Sequence, residues 1–119
     1  MDRKTFRAHL NFEVLAKLFF DIAEERYPSA EKIKQLVSRL VNPLASDPIE
    51  SIHVEIAVLN VMRDMVKEVA PTQLYRSLQH RDDLYLAIIE ALEDLEDALE
   101  ELEEKLMEDE EEENEEEKN

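Results

Sequence analysis

The chain reads as all-α: a small bundle of four to five helices with a long C-terminal helix and a disordered acidic tail. Three observations predict it. The 119 residues include no glycine, where average usage would place about 8. Glycine supplies the positive-φ positions of tight hairpins and phosphate loops, so its absence disfavours a hairpin-rich β fold and a Gly-rich nucleotide cradle. Apolar residues recur at alternating spacings of three and four, the stripe of an amphipathic helix. The four prolines punctuate these stripes rather than interrupt them.

Taken in order, the first stripe is Phe12, Leu15, Phe19 and Ile22, closed by Tyr27-Pro28. Its helix starts at an Asn11 cap or earlier, including Phe6 and Leu10. Ser29 is the N-cap expected for the second helix, whose apolar face is Ile33, Leu36, Val37, Leu40 and Val41. Asn42-Pro43 stops it. Asp47-Pro48-Ile49-Glu50 is the clearest start in the chain: a capping acid, proline at the first helical position and glutamate at the third. That helix runs to Val69 and is apolar on more than one side between Val54 and Val66, the pattern of a central helix that others pack around. Pro71 to Leu78 reads as a turn or single helical turn carrying Leu74, Tyr75 and Leu78. The last helix begins near Ser77 or Gln79. Its stripe of Tyr85, Ile88, Leu92, Leu95, Leu99, Leu102 and Leu106 spans three heptads.

Charge divides the chain in two. Residues 93–119 hold 17 carboxylates and two lysines, whereas residues 1–92 hold 14 acids and 12 bases. The body is near neutral and the acidity belongs to an extension. The expected organisation is a basic N-terminal segment over 1–11, a helical bundle over 12–107 and a disordered acidic tail over 108–119, since the last segment has nothing apolar to bury. The tail has three readings: a solvated solubility tail, a contact for a basic partner, or a segment folding back on the cluster of Arg3, Lys4 and Arg7. Nucleic-acid binding is disfavoured because the extension repels phosphates. No apolar run is long enough to cross a bilayer, which excludes membrane insertion. Without cysteine there is no disulfide framework or thiolate site.

Chemistry finds little purchase. Glu50 and His53 have the Glu-x-x-His spacing of di-iron carboxylate bundles, but no second copy accompanies them. His80-Arg81-Asp82 shares letters with a kinase catalytic loop and none of its partner motifs. The expectation is no catalytic residue, no cofactor and no metal. The sharper feature is the leucine stripe. Up to Leu92 it is expected to pack on the bundle; beyond, Leu95, Leu99, Leu102 and Leu106 are expected to form a partner-binding seam. Acidic residues flank the stripe on both sides, so like-charge repulsion disfavours a homodimer there and a more basic chain fits better. Phe19 and Phe20 are the next candidates for a partner contact, with Phe6 and Phe12.

Pro71-x-x-Leu74-Tyr75, a polar step with Arg81, then Leu84, Ile88 and an acidic helix end resemble the C-terminal half of the TyeA family. These are small partners of YopN-type gatekeepers in bacterial type III secretion. Upstream, a helix closing at Arg26-Tyr27-Pro28, a helix from Ala30 to Val41 and a helix containing Met62-Arg63-Asp64 are similar as well, so the likeness spans roughly 12–105. The resemblance implies a helical, non-enzymatic regulator. It would bind the C-terminal region of a gatekeeper at the cytoplasmic face of the secretion apparatus and hold back effector export. Some members are fused to the gatekeeper; a start at Met1 with a segment of its own suggests the separate form. The basic start and Glu-rich tail depart from the family pattern. A helical chaperone or adaptor using its acidic tail on a basic client is the alternative.

Overall fold

The computed structural model describes residues 12–68 and 77–118, with the side chains of 13–68 and 77–109. The Arg3–Arg7 cluster, Phe6, Leu10 and the Pro71–Tyr75 markers lie outside the described residues. Four helices follow one another: α1 (Phe12–Glu24), α2 (Ala30–Val41), α3 (Pro48–Glu68) and α4 (Leu78–Lys118).

Their starts follow local chemistry. Ser29 is extended, at φ −137° and ψ 150°, and its hydroxyl accepts from the Lys32 N–H at 3.2 Å. Asp47 Oδ1 accepts from the Glu50 N–H at 2.8 Å, with Pro48 just inside the helix where its missing N–H costs nothing. Ser77 Oγ accepts from the His80 N–H at 3.0 Å. Each cap satisfies a donor that a helix N-terminus leaves unpaired.

One core joins all four helices. Phe19 and Ile22 come from α1, Ile33, Val37 and Val41 from α2, Leu59, Met62 and Val66 from α3, and Leu84, Ile88 and Ala91 from α4. α3 packs on the other three helices, as expected of a central helix, but α2 does too. The two form the inner pair because the buried stripe of α2 is as completely covered as that of α3.

Polar contacts fix the direction of α4. Arg81 reaches back to the carbonyls of Val66 and Lys67 at 3.3 Å each, pairing acceptors that the end of α3 leaves open. His80 is buried, and its Nε2–H donates to the Glu25 carbonyl at 2.7 Å. At the other end His53 Nε2 lies 3.7 Å from Glu103 Oε1. α4 therefore runs antiparallel to α3 from Arg81 to Glu103. The His80-Arg81 pair that shares letters with a kinase loop is a structural clamp.

Two expectations change. The segment from 108 was expected to be disordered, but α4 continues to Lys118. Propagation of a helix already nucleated needs no apolar residue; glutamate is a good helix former, and no glycine or proline follows Pro71. The molecule's 66 Å long dimension matches the roughly 60 Å expected of such a helix. The bundle also reaches further along α4 than Leu92. Leu95 packs against the core, because the 21-residue α3 carries its first turns as far as Glu103.

Candidate partner-binding surface

The leucine stripe grades from core to surface. Leu92 is buried, Leu95, Leu99 and Leu102 are half-buried, and Leu106 and Met107 are exposed at 51% and 63%. The leucines of the stripe share the side of α4 that faces the bundle, so the core face runs on into an arm that, among the described residues, the other helices leave exposed beyond Glu103. The part of the expected seam that is free for a partner is therefore short, and it begins near Leu102. Acidic side chains at Glu100, Glu101, Glu103 and Glu104 are exposed beside it.

The two aromatic candidates separate. Phe19 is 2% exposed and belongs to the core, which removes it from any partner surface; its place in the first apolar stripe already marked it as inward-facing. Phe20, next in sequence, is 49% exposed, with its ring edge-on to Phe19 at 6.4 Å between centroids. Neither is brought near the stripe's exposed end, since α1 packs on α2 and α3 rather than along the arm.

An exposed feature the sequence reading passed over is Leu86. With Tyr27 it lines a shallow groove between the α1–α2 connection and α4, rimmed by Asp83, Glu90 and Asp94. Both apolar side chains are largely exposed. Leu86 falls outside the heptad stripe of α4, and that exclusion was its available signal.

A second omission is Glu55. It stands on the buried stripe of α3, between Ser51 and Leu59, and is 7% exposed. A chain of polar contacts leads to it. Ser51 Oγ donates to Asn42 Oδ1 at 2.8 Å, Asn42 Nδ2 donates to Ser38 Oγ at 2.7 Å, and the Ser38 hydroxyl bonds the Glu55 carboxylate. Burial raises the Glu55 carboxyl above the ordinary glutamate value, and the Ser38 hydrogen bond opposes that rise. The signal was present: Ser51 and Glu55 are spaced four apart on the face that also carries Leu59, Met62 and Val66.

The Glu50-x-x-His53 spacing resolves into capping and surface contacts. Glu50 accepts from the Ser46 hydroxyl at the start of α3, and His53 faces Glu103. Among the described residues no group of three or more His, Cys, Asp or Glu side chains is placed to hold a metal ion. Among them, too, no helix is long and apolar enough to cross a membrane.

These features define a small helical bundle with an acidic helical arm. The family described as type III secretion system, low calcium response E, third helical domain, matches residues 2–93. The chain belongs to that family. The match spans the bundle and ends where the acidic extension begins. No curated protein shows a significant match, and no solved structure does.

Proposed function

We propose that this chain is a non-enzymatic interaction subunit of a type III secretion apparatus, a TyeA-like partner of a gatekeeper. It binds the gatekeeper's C-terminal region on the cytoplasmic side and sets the time at which effectors are exported. The observation that carries the reading is the family match over residues 2–93, which takes in α1, α2, α3 and α4 as far as Glu93. The surfaces suit the role. The Tyr27–Leu86 groove and the exposed end of the leucine stripe offer apolar contact area rimmed by acids, the composition that selects a more basic partner over a second copy of this chain.

The test is co-purification with the C-terminal region of a gatekeeper from the same organism, together with effector export from a strain lacking the chain. A stable complex and premature export are expected. Failure to form the complex, with export timing unchanged, would end this reading. A second reading, a helical adaptor presenting its arm to a basic client, is favoured by the position of the acidic extension beyond the family match. Binding that depends on the extension but not on the bundle would favour it instead.

A further inference from the structure

The α2–α3 corner holds an open groove of about 390 Å³ lined by Glu55, with Ser38, Asn42 and Ser51 beside it and Ala45, Pro48 and Ile52 forming its apolar walls. We infer that this groove is a binding site for a guanidinium group, the arginine side chain of a protein partner, with the Glu55 carboxylate as its counter-ion.

Glu55 has few partners among the described residues. It is 7% exposed, and a carboxylate drawn in from bulk water is held best as an ion beside an opposite charge or a set of donors. Among the described residues Glu55 makes no ion pair: the lysines and the arginine in ion pairs face Glu25, Glu31, Asp94 and Asp64. Among the described residues, the donor that reaches it is the Ser38 hydroxyl. A carboxylate has about four acceptor sites, so most of its capacity faces the groove.

Next comes the order of the hydrogen bonds. Ser51 donates to Asn42, Asn42 to Ser38, and Ser38 to Glu55, so every donor in the chain points towards the carboxylate. Such a sequence polarises in one direction and holds the acceptor in place. It is built from two helices and the residue that ends α2. These contacts hold the carboxylate in advance, which lowers the cost of ordering it when a ligand binds. A planar guanidinium with five donors matches a fixed carboxylate bordered by hydroxyl and amide oxygens better than an ammonium does.

The surroundings favour a cation as well. Asp47 lines the same groove, and Glu50 begins the same helix. The His53–Glu103 contact brings the acidic arm of α4 alongside the first turns of α3, at this end of the bundle. A basic segment is drawn to this end by the arm's field and anchored in the groove by one arginine. The inference deepens the partner reading proposed above, but it does not depend on the secretion family.

The test uses the full chain, labelled with nitrogen-15, titrated with N-acetyl-arginine amide and, separately, with the citrulline analogue. Citrulline keeps the shape and loses the charge. Saturable shifts at Ser38, Asn42, Ser51 and Glu55 are expected with arginine, with citrulline weaker by about tenfold, the size of one charge-assisted hydrogen bond. Glu55→Gln should lose the arginine preference while keeping its circular dichroism. Because the arginine–citrulline comparison is made on the unaltered chain, it stands even where the variant unfolds. Bound arginine should also lower the midpoint at which the Glu55 carboxyl titrates, since each ligand favours the state that binds the other. Shifts confined to the acidic arm, equal response to citrulline, or an unchanged response in folded Glu55→Gln would each overturn the site. Any of these would leave gatekeeper binding to be judged on its own assay.

Discussion

Lys34 Nζ lies 3.0 Å from Asp94 Oδ2, tying the middle of α2 to α4 where the acidic extension starts. The hydrogen bond to Asp94 raises the Lys34 ammonium above its ordinary value of 10.5, and partial burial works against it. A base whose folded value is raised adds stability that is present in full below the ordinary lysine value. That stability disappears as pH rises through the folded value. Both side chains are partly solvated, which limits the pair to about 1 kcal/mol or less. Asp94→Asn should therefore lower the melting temperature slightly at neutral pH and not at all in strong alkali. A double-mutant cycle with Lys34→Met isolates the pair.

The Phe19 and Phe20 pair tests the packing. Phe19→Ala should destabilise by roughly 3–5 kcal/mol, because it opens a cavity in a core that touches α1, α2 and α3. Phe20→Ala should cost about 1 kcal/mol or less, its ring being half in water already. Urea unfolding of the two variants decides. Equal costs would show that Phe20 is packed as deeply as Phe19.

The two phenylalanines also show how far the sequence was legible. The three-and-four spacing located the four described helices, and Ser29 and Asp47 were legible as caps, because caps and amphipathic stripes are local properties. It placed Phe19 correctly on the apolar stripe but could not weigh it against Phe20, since the width of a buried face depends on which helices cover it. The same limit applies to Leu95. Its burial is decided by α3, whose antiparallel path to Glu103 is a long-range fact. The tail differs for another reason: a lack of apolar residues does not preclude helix, since elongation depends on propensity and charge. Glu55 went unnoticed because a single glutamate within an apolar helix is ambiguous until its depth is known.

The stripe's free end gives a cleaner test of partner binding than its middle. Leu106→Ser with Met107→Ser should change stability by about 0.5 kcal/mol or less, both side chains being more than half exposed. Leu99→Ser with Leu102→Ser should cost more, since both are half-buried. If the stripe carries the partner, the first pair weakens co-purification without lowering the melting temperature. Undiminished binding by the first pair would shift attention to the Tyr27–Leu86 groove, where Leu86→Ser is the matching variant.

Glu55 should leave a signature in the pH dependence of stability. Its folded value is raised by burial, so the folded state holds the proton more tightly than the unfolded chain does. Between the ordinary glutamate value and the folded one, the unfolded state binds fewer protons, and stability falls as pH rises. Above that window the loss is complete and constant. Glu55→Gln removes the effect, so the variant should gain stability relative to the parent as pH is raised from mild acid to neutrality. The difference is read from urea midpoints at matched pH, which cancels the contribution of the arm's many carboxylates. A difference that does not change with pH would show that the carboxyl does not titrate differently on folding.

The last turns of α4 should tighten in acid. Five carboxylate pairs stand four apart between Glu108 and Glu117: Glu108 with Glu112, Asp109 with Glu113, Glu111 with Glu115, Glu112 with Glu116, and Glu113 with Glu117. Each like-charge pair at this spacing weakens a helix by about 0.2–0.5 kcal/mol. Negative charge at a helix C-terminus adds to the penalty by opposing the helix dipole. Working against this are the high helix propensity of glutamate and the absence of any breaker. The balance is close, so removing charge should move it. Protonation in mild acid removes the repulsion outright, and salt screens it in part. Carbon-13 Cα shifts of residues 108–117 in the full chain should therefore move towards helical values as pH falls from neutral. Adding salt at neutral pH should reproduce a fraction of that movement, while the bundle portion of α4 stays constant. Shifts already fully helical at neutral pH and low salt would show that propensity alone outweighs the repulsion.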